Sequence, residues 1–282
     1  MRNYIEEIAE ANFHGKKGLY TEKIFKFDTV FFNKLQQECV DLANSQTSSQ
    51  VENGHITNWT SPFGDAVQYS LKNTSGNFND TSTDHILDLN NKKFHYPEQY
   101  PTLNELITLF PTATNFRLNG MGVKSGLSPH EEHIVYKRGF LKSFIRARFH
   151  IPIQTNKDVA MLIGDHIYRY EEGNMYFFNN GAIHSADNQG DTYRFHLVFD
   201  ILLDKKANDL LFYSSNLPKF LKRTNESLKP LKKVDVSTFQ TYGRTERLYK
   251  LLFPINKIFS MSQFARIYNK ISLLVPRKYE HY

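Results

Sequence analysis

The stretch SFIRARFHIPI, residues 143–153, decides the fold class that the sequence predicts. Side chains alternate between the two faces of a β-strand. One face of this strand is therefore apolar and carries Ile145, Ala147, Phe149, Ile151 and Ile153. The opposite face is polar and carries Arg146, Arg148 and His150. The pattern predicts a strand that buries one face in an apolar core and presents cations on the other.

A second stretch, YRFHLVFDI at residues 193–201, repeats this arrangement with Arg194, His196 and Val198 on one face. An isolated strand of this kind can simply expose its charges to water. Two Arg-x-His strands that bracket further histidines favour a different interpretation, a barrel lumen lined with Arg and His. Such a lumen suits a small anionic ligand, because guanidinium binds carboxylate bidentately.

Short apolar or alternating runs continue this pattern between about residues 102 and 203. Further predicted strands cover residues 115–118, 159–163, 166–170 and 175–178. The pair Gly164-Asp165 lies between two of them and predicts a hairpin turn. Many short strands at this spacing are typical of a β-sandwich or barrel.

Three regions differ in composition. Residues 1–100 form an N-terminal region that we expect to pack on the core, with a polar loop or lid at 44–84. Residues 101–205 form the strand-rich core. Residues 206–282 are predicted to be a basic helical C-terminal extension, from the apolar positions Leu248, Leu251, Phe264 and Ile267.

The net charge of +6 is unevenly distributed along the 282 residues. Residues 216–282 hold 14 Lys and Arg against 4 Asp and Glu, and the first 215 residues hold 21 against 25. A mildly acidic body with a basic tail argues against a nucleic-acid binder that uses its whole surface. The tail is either a solvated helical face or a docking surface for an anionic partner such as a membrane or polyanion.

Cys39 is the single cysteine, which excludes an intramolecular disulfide framework and a cysteine-based zinc site. No run of about 18 apolar residues is present, and the first residues are charged throughout. We therefore expect no transmembrane segment and a cytoplasmic location.

A possible metal motif precedes the first Arg-x-His strand. His130 and Glu132 are two residues apart and share a direction on an extended segment, and His184 follows far downstream. Two imidazoles and one carboxylate form the facial triad that holds Fe(II) in non-haem oxygenases. The sequence HEEH by itself is more often a solvated charged loop.

The span from about residue 117 to 203 resembles the aspartyl/asparaginyl β-hydroxylase family, which includes bacterial proline cis-4-hydroxylases. The resemblance rests on RLN (117–119), LSPHEE (127–132), RARFHIPIQTN (146–156), YEEGNMYFFNNGAIHSADN (170–188) and YRFHLVFDI (193–201). It implies a mainly β fold, the double-stranded β-helix or cupin-like jelly roll, with flanking helices.

The resemblance also implies roles for individual residues. His130 and His184 match the metal-binding histidines, and Arg194 matches the residue that binds the distal carboxylate of 2-oxoglutarate. Asn119 takes the position of a polar residue that assists this arginine. Arg148 and His150 match the strand whose histidine reaches the metal-proximal carboxylate, and His196 matches a histidine of the proline hydroxylases.

Glu132 departs from the family pattern. Its position is Asp in the proline hydroxylases, and the animal β-hydroxylases have no carboxylate there. We expect Glu132 to be the third metal ligand. The alternatives are a two-histidine site, or a role for Glu131 or His133 in substrate binding.

The function implied is that of a dioxygenase that uses Fe(II), 2-oxoglutarate and O₂, with ascorbate as the reductant. It would hydroxylate an unactivated C–H bond of a polar substrate, most simply an amino acid or protein side chain, and release succinate and CO₂. The alternative is a non-catalytic jelly-roll protein that binds a metal or ligand and docks on anionic surfaces through its basic tail.

Overall fold

The computed structural model describes residues 4–11, 18–50, 66–84, 91–130, 132, 135–138 and 142–236, and the single positions 258 and 267. The helices are α1 (Tyr4–Ala11), α2 (Thr29–Ser45), α3 (Pro101–Leu109) and α4 (Lys205–Asn208), and one π-helical turn, Asp209–Tyr213, follows α4. The strands before the core are β1 (Thr21–Phe27), β2 (Ser49–Gln50) and β3 (Ala66–Ser70). The strands of the core and its C-terminal additions are β4 (Thr114–Met121), β5 (Ser125–His130), β6 (Val135–Arg138), β7 (Lys142–Gln154), β8 (Val159–Ile163), β9 (His166–Tyr168), β10 (Asn174–Phe178), β11 (His184–Asn188), β12 (Arg194–Leu202), β13 (Leu221–Ser227) and β14 (Lys232–Lys233).

Two antiparallel sheets hold these strands. The larger sheet has the order β13-β1-β10-β7-β12-β4-β3-β2, with β6 paired to β7, and the smaller has the order β14-β9-β8-β11-β5. From β4 to β12 the chain passes back and forth between the sheets, so that β4-β12-β7-β10 lies opposite β5-β11-β8-β9. This interleaved order is that of a double-stranded β-helix, and it confirms the mainly β, cupin-like jelly roll.

The predicted strands lie where alternation placed them. The run at 159–163 coincides with β8, and those at 143–153 and 193–201 differ from β7 and β12 by one residue at each end. Gly164 has φ of +63° between β8 and β9, which is the conformation required at the first position of a type II′ hairpin. The predicted turn at Gly164-Asp165 is confirmed.

The main apolar core lies on the outer face of the larger sheet. The apolar face of β7 joins one buried cluster with the inner faces of α2 and α3, which contribute Phe31, Leu35, Cys39, Leu42, Leu103 and Leu106. Asp28 begins α2 by accepting hydrogen bonds from the amides of Val30 and Phe31 at 3.0 and 3.2 Å. Glu38 on α2 accepts from the first amides of α3, those of Thr102 and Leu103, and so joins the two helices.

The space between the two sheets has a mixed lining. A second apolar cluster fills one part of it, with Met121, Met161, Ile163, Tyr168, Tyr170, Tyr176, Phe178 and Ala186. The polar faces of β7 and β12 point into the same space, and Arg146, Arg148, His150, Arg194 and His196 are all buried there. Because helices cover the apolar face of the larger sheet, the cations face inward, and the interpretation of a polar lumen is confirmed.

The described part of the C-terminal region, up to residue 236, is joined to the jelly roll. Strand β13 pairs with β1 at the edge of the larger sheet, and β14 pairs with β9 in the smaller one. Arg223 is used internally, since its guanidinium bonds to the carbonyls of Leu210, Leu211 and Ser214 and lies over the Phe25 ring. The helix prediction rests on residues between Leu248 and Ile267, and of these only positions 258 and 267 are described. A docking role for the tail stays a prediction.

The polar segment at 44–84 is described in part. Its ends form β2 and β3 beside β4, while residues 51–65 lie outside the described residues. A lid at this position therefore stays a prediction. In the described part of the chain, no helix is both long and apolar enough to cross a membrane.

Candidate active site

Three potential metal ligands meet where β5 and β11 pair. His130 ends β5 directly opposite His184 at the start of β11, and their ring centroids are 4.0 Å apart. The backbone amide of Glu132 donates to the carbonyl of Asn180 at 2.8 Å, which holds the segment after β5 against the loop before β11. One ligand atom from each of the three side chains lies within 4.8 Å of the others. The structure thus assembles the predicted triad from residues 54 positions apart.

His184 has the tautomer that a metal ligand needs. Its Nδ1 lies 2.9 Å from the carbonyl oxygen of Ala182. A carbonyl oxygen can only accept, so Nδ1 carries the proton and Nε2 keeps a lone pair. Burial, together with the neighbouring His130, holds the pKa of His184 well below its usual range. The imidazole is therefore neutral and ready to coordinate.

Glu132 is held by two arginines from the polar face of β7. Its Oε2 accepts from Arg146 at 2.7 Å, Arg148 at 2.9 Å and Asn180 at 3.2 Å, and its Oε1 accepts only from Arg148 among the described residues. Burial alone would raise the pKa of Glu132, but the Arg148 and Arg146 guanidinium groups outweigh it and hold the pKa well below its usual range. The carboxylate is therefore ionised, and Oε1 has a lone pair left for an ion.

Asp200 on β12 holds the same two arginines from the other side. It accepts from Arg148 Nε at 2.7 Å, Arg148 Nη2 at 3.1 Å, Arg146 Nη1 at 3.1 Å and Asn115 Nδ2 at 2.9 Å. Burial opposes ionisation, yet Arg148 and Arg146 lower the pKa of Asp200 to about 2. The sequence analysis missed this residue. Its signal was an aspartate on the same face as Arg194 and His196 in an otherwise apolar strand.

Arg194 lies at the far end of the pocket and is almost fully buried. Its Nη2 bonds to His196 Nδ1 at 2.7 Å and contacts Met161 Sδ at 3.4 Å, while its Nε has no partner. Among the described residues no carboxylate pairs with it. Burial lowers the pKa of Arg194 to about 9. A buried guanidinium without a counter-ion is costly, so this position is suited to an anionic ligand.

Three further polar atoms along the pocket lack a hydrogen-bond partner in the described structure. They are Nε2 of His150, Nε2 of His196 and Oδ1 of Asn119. Burial and the charge of Arg194 hold the pKa values of both histidines well below their usual range. Buried polar groups are normally hydrogen-bonded, so the His150 and Asn119 atoms, which line the pocket, are available to a polar ligand.

One open pocket connects these groups. Seven of the eight predicted site residues line it, namely Asn119, His130, Glu132, Arg148, His150, His184 and Arg194. The eighth, His196, lies behind Arg194. Glu131 and His133 lie outside the described residues. The sequence analysis did not single out Gln68 and Arg117, which line the wall formed by β3 and β4.

Asp84 is a buried carboxylate behind this wall. Its Oδ1 accepts from Ser70 at 2.5 Å, and its Oδ2 has no partner in the described structure. Burial raises the pKa of Asp84 to about 6, against the opposing effects of Arg117 and Ser70. The folded protein therefore binds a proton here that the unfolded chain has already released at the same pH.

This shift predicts a pH dependence of stability. As pH rises from about 4 to 6, the Asp84 contribution should lower the free energy of unfolding by up to about 3 kcal/mol, because the folded pKa lies above the unfolded one. Asp84→Asn should remove this loss and be more stabilising at pH 8 than at pH 4.5. Urea unfolding at both pH values measures the free energy of unfolding of the variant and of wild type, and Asp158→Asn, at an exposed position, is the control. An unchanged pH slope in Asp84→Asn would contradict the prediction.

The fold and site together define a jelly-roll protein with a two-histidine, one-carboxylate cluster of the kind found in non-haem iron oxygenases. A model of the aspartyl/asparaginyl beta-hydroxylase family matches residues 32–203. The chain belongs to this family. No curated protein sequence is similar enough to the chain to count as a match.

Solved structures with a similar fold are remote in sequence. A prolyl hydroxylase of Trichoplax adhaerens, solved with a peptide fragment of the hypoxia inducible factor oxygen degradation domain, is 8% identical, with a TM-score of 0.43 over 72% of this chain and 92% of that chain. A Pseudomonas putida prolyl-4-hydroxylase is 7% identical, with a TM-score of 0.34 over 72% of this chain and 100% of that chain. A predicted oxalate decarboxylase of Thermotoga maritima is 12% identical, with a TM-score of 0.31 over 57% and 96%. The family assignment does not depend on these likenesses.

Proposed function

We propose that the protein is an Fe(II)- and 2-oxoglutarate-dependent dioxygenase that hydroxylates an unactivated C–H bond and releases succinate and CO₂. One observation carries the proposal. The cluster of His130, Glu132 and His184 opens onto the same pocket as Arg194, a buried guanidinium with no carboxylate partner among the described residues. A protein that only stores metal has no need of such a cation.

The donor set fits Fe(II). Two imidazole nitrogens and one carboxylate oxygen occupy one face of an octahedral ion and leave positions for other ligands. His184 offers Nε2, because Nδ1 is bonded to Ala182. Glu132 would offer Oε1, because Oε2 already accepts three hydrogen bonds. When bound, the iron supplies the oxidising chemistry, with O₂ and 2-oxoglutarate as cosubstrates and ascorbate to keep it reduced.

The remaining polar groups fit a dicarboxylate. Arg194 would bind the carboxylate far from the metal, assisted by Asn119, and His150 would contact the carboxylate near the metal. His196 accepts from Arg194 through Nδ1, so its role is to orient that guanidinium. The Arg148 guanidinium already bonds to Glu132 and Asp200, and we propose that it acts on the cosubstrate mainly by holding Glu132.

The pocket walls also exclude water from the reacting groups. His130, His150, His184, Arg194 and His196 are each less than 9% exposed. A water-poor site strengthens the ion pairs that hold the cosubstrate and limits side reactions. We propose a polar substrate, an amino acid or a protein side chain, and a cytoplasmic location in which Cys39 stays reduced.

The direct test is succinate release by the purified protein with Fe(II), 2-oxoglutarate and ascorbate, alone and with candidate substrates. Calorimetry with Mn(II) in place of Fe(II) measures 2-oxoglutarate binding without turnover. We expect 2-oxoglutarate to bind only when metal is present. If it neither binds nor is consumed, the alternative of a non-catalytic metal-binding jelly roll is correct.

Arg194→Ala should raise the 2-oxoglutarate concentration needed for half-maximal binding by about 30-fold or more, because truncating one partner of a buried charge pair is strongly unfavourable. Metal affinity should change little, since Arg194 contacts none of the three ligands. Calorimetric titrations of metal and of 2-oxoglutarate separate the two effects. Arg169→Ala, at an exposed arginine, is the matched control. Equal 2-oxoglutarate affinity in both variants would reject the assignment.

A further inference from the structure

A second guanidinium in the pocket lacks an ionic partner. Arg117 lines the pocket from β4, the strand that pairs with the Arg194 strand β12, and is 3% exposed. Its Nη1 donates to Gln68 Oε1 at 2.8 Å, and its Nε has no partner. In the described part of the chain no carboxylate forms an ion pair with Arg117. The edge formed by Nε and Nη2 therefore carries no bond to a described residue.

The other arginines near the metal centre are already neutralised. Arg146 and Arg148 are each paired with both Glu132 and Asp200. Arg148 uses Nε and Nη2 to bind the two oxygens of Asp200 side-on at 2.7 and 3.1 Å. The corresponding edge of Arg117 is unused. Asp200 lies two residues along β12 from Val198, the cross-strand neighbour of Arg117, so the same interior shows how such an edge binds a carboxylate.

Arg117 is placed beside the metal centre and away from the cosubstrate end. Arg117 lies opposite Val198, and Arg194 lies opposite Met121, so about 13 Å of strand separates the two arginines. Burial lowers the pKa of Arg117 overall, against the opposing effects of Asp84, which is the largest of them, and of Asp200 and Glu132. One arginine can therefore serve 2-oxoglutarate while the other faces a different ligand.

The charges around the pocket leave a positive excess. Four guanidinium groups face three carboxylates, those of Asp84, Glu132 and Asp200, and Lys72 and Lys92 lie close to Asp84. Fe(II) and 2-oxoglutarate carry opposite double charges and cancel. Among the described residues at least one positive charge remains uncompensated in a buried site, which is costly unless the second ligand is an anion.

We propose that Arg117, oriented by Gln68, binds a carboxylate of the substrate that is oxidised. This rests on the proposed function and identifies the substrate class as a carboxylate bound on the side of β3 and β4. The source of the carboxylate is either the α-carboxylate of a free amino acid or the side chain of Asp or Glu in a peptide. Both bind an arginine edge through two parallel hydrogen bonds.

The test uses the full chain loaded with Mn(II) and 2-oxoglutarate. Calorimetry compares the free amino acids with their α-amides, and blocked tetrapeptides containing Asp or Glu with those containing Asn or Gln. We expect at least one carboxylate to bind about tenfold or more tightly than its amide. A preference for carboxylate within the first set indicates that the substrate is a free amino acid. A preference within the second set indicates that it is a peptide.

Arg117→Gln should abolish the preference for carboxylate over amide and leave 2-oxoglutarate affinity within about twofold of wild type, since 2-oxoglutarate is assigned to Arg194. Arg117→Lys keeps the charge but loses the two-bond geometry, and should give an intermediate preference. Arg169→Gln is the exposed control. If Arg117→Gln does not fold, the proposal is still tested by the wild-type preference for carboxylate over amide and by the reduced preference expected in Arg117→Lys.

The proposal is overturned if no carboxylate binds better than its amide, or if the preference survives in Arg117→Gln. The same carboxylate and amide pairs are also titrated into protein without Mn(II) and 2-oxoglutarate. Failure to bind 2-oxoglutarate rejects the dioxygenase function alone, while the carboxylate preference and its loss in Arg117→Gln still test the anion site.

Discussion

His184→Ala should abolish 2-oxoglutarate turnover and weaken metal binding by more than about 100-fold, since loss of a group that merely orients a ligand already costs 10- to 100-fold. The imidazole is neutral, buried and fixed by Ala182, so no neighbour among the described residues can replace its Nε2. His130→Ala should have the same effect. Succinate release and calorimetric Mn(II) titration measure the two losses separately.

His166→Ala is the matched control, because His166 lies on β9 of the same sheet, is partly exposed and pairs with Asp165 outside the pocket. It should keep wild-type metal affinity. Turnover retained by either His130→Ala or His184→Ala would refute the metal assignment.

Glu132→Gln distinguishes a three-ligand site from a two-histidine site. The amide keeps the size of the side chain and one acceptor oxygen, but it carries no charge. We expect metal affinity to fall at least about tenfold if Glu132 coordinates, and to stay near wild type if the two histidines suffice.

Asp200→Asn should lower the free energy of unfolding by about 3 to 5 kcal/mol, because it leaves the buried charges of Arg146 and Arg148 with one carboxylate in place of two. For a chain of this size, the melting temperature should fall by about 6 °C or more. The variant should also weaken metal binding, since the arginines that position Glu132 lose their anchor on β12. Chemical denaturation and Mn(II) titration measure the two effects.

The double variant Asp200→Asn with Arg146→Met provides the coupling control. Removing a positive charge together with the negative one should recover part of the stability lost in Asp200→Asn. Asp191→Asn, at an exposed loop position, should be neutral. Additive losses in the double variant would show that Asp200 and Arg146 do not act as a pair.

The Asp200 contribution also has a defined pH window. Its folded pKa of about 2 lies below the value of 3.8 expected without the fold. The stabilisation is therefore complete above about pH 4 and is lost as pH falls toward 2. Acid unfolding should begin at a higher pH in Asp200→Asn than in wild type.

Much of the site could be predicted from the chain because each ligand lies in a local pattern. His130 and Glu132 share a short motif, and Arg148, His150, Arg194 and His196 follow from strand alternation. Asp200 and Arg117 were missed for one reason. Their roles depend on which residues face them across neighbouring strands, and a local pattern gives at most the face of the strand on which they lie.

Strands β13 and β14 were missed in the same way. The run LKRTNES has no clear alternation, and its pairing with β1 depends on an edge formed by residues about 200 positions earlier. A strand at a sheet edge is stabilised mainly by its partner's unpaired backbone groups. The prediction of a helical extension rested on apolar positions from Leu248 onward, and such a pattern holds no information about the partner strand available to residues 221–233.

The sequence by itself determined the jelly roll, the family and the side chains that can hold a metal and a dicarboxylate, because alternation and short motifs are properties of neighbouring residues. Tertiary structure alone decided which charges are neutralised. Arg146 and Arg148 are balanced by Glu132 and Asp200, whereas Arg117 and Arg194 have no ionic partner among the described residues. Ion pairing depends on distances of a few ångströms across the sheets, and only the register of the folded strands sets those distances.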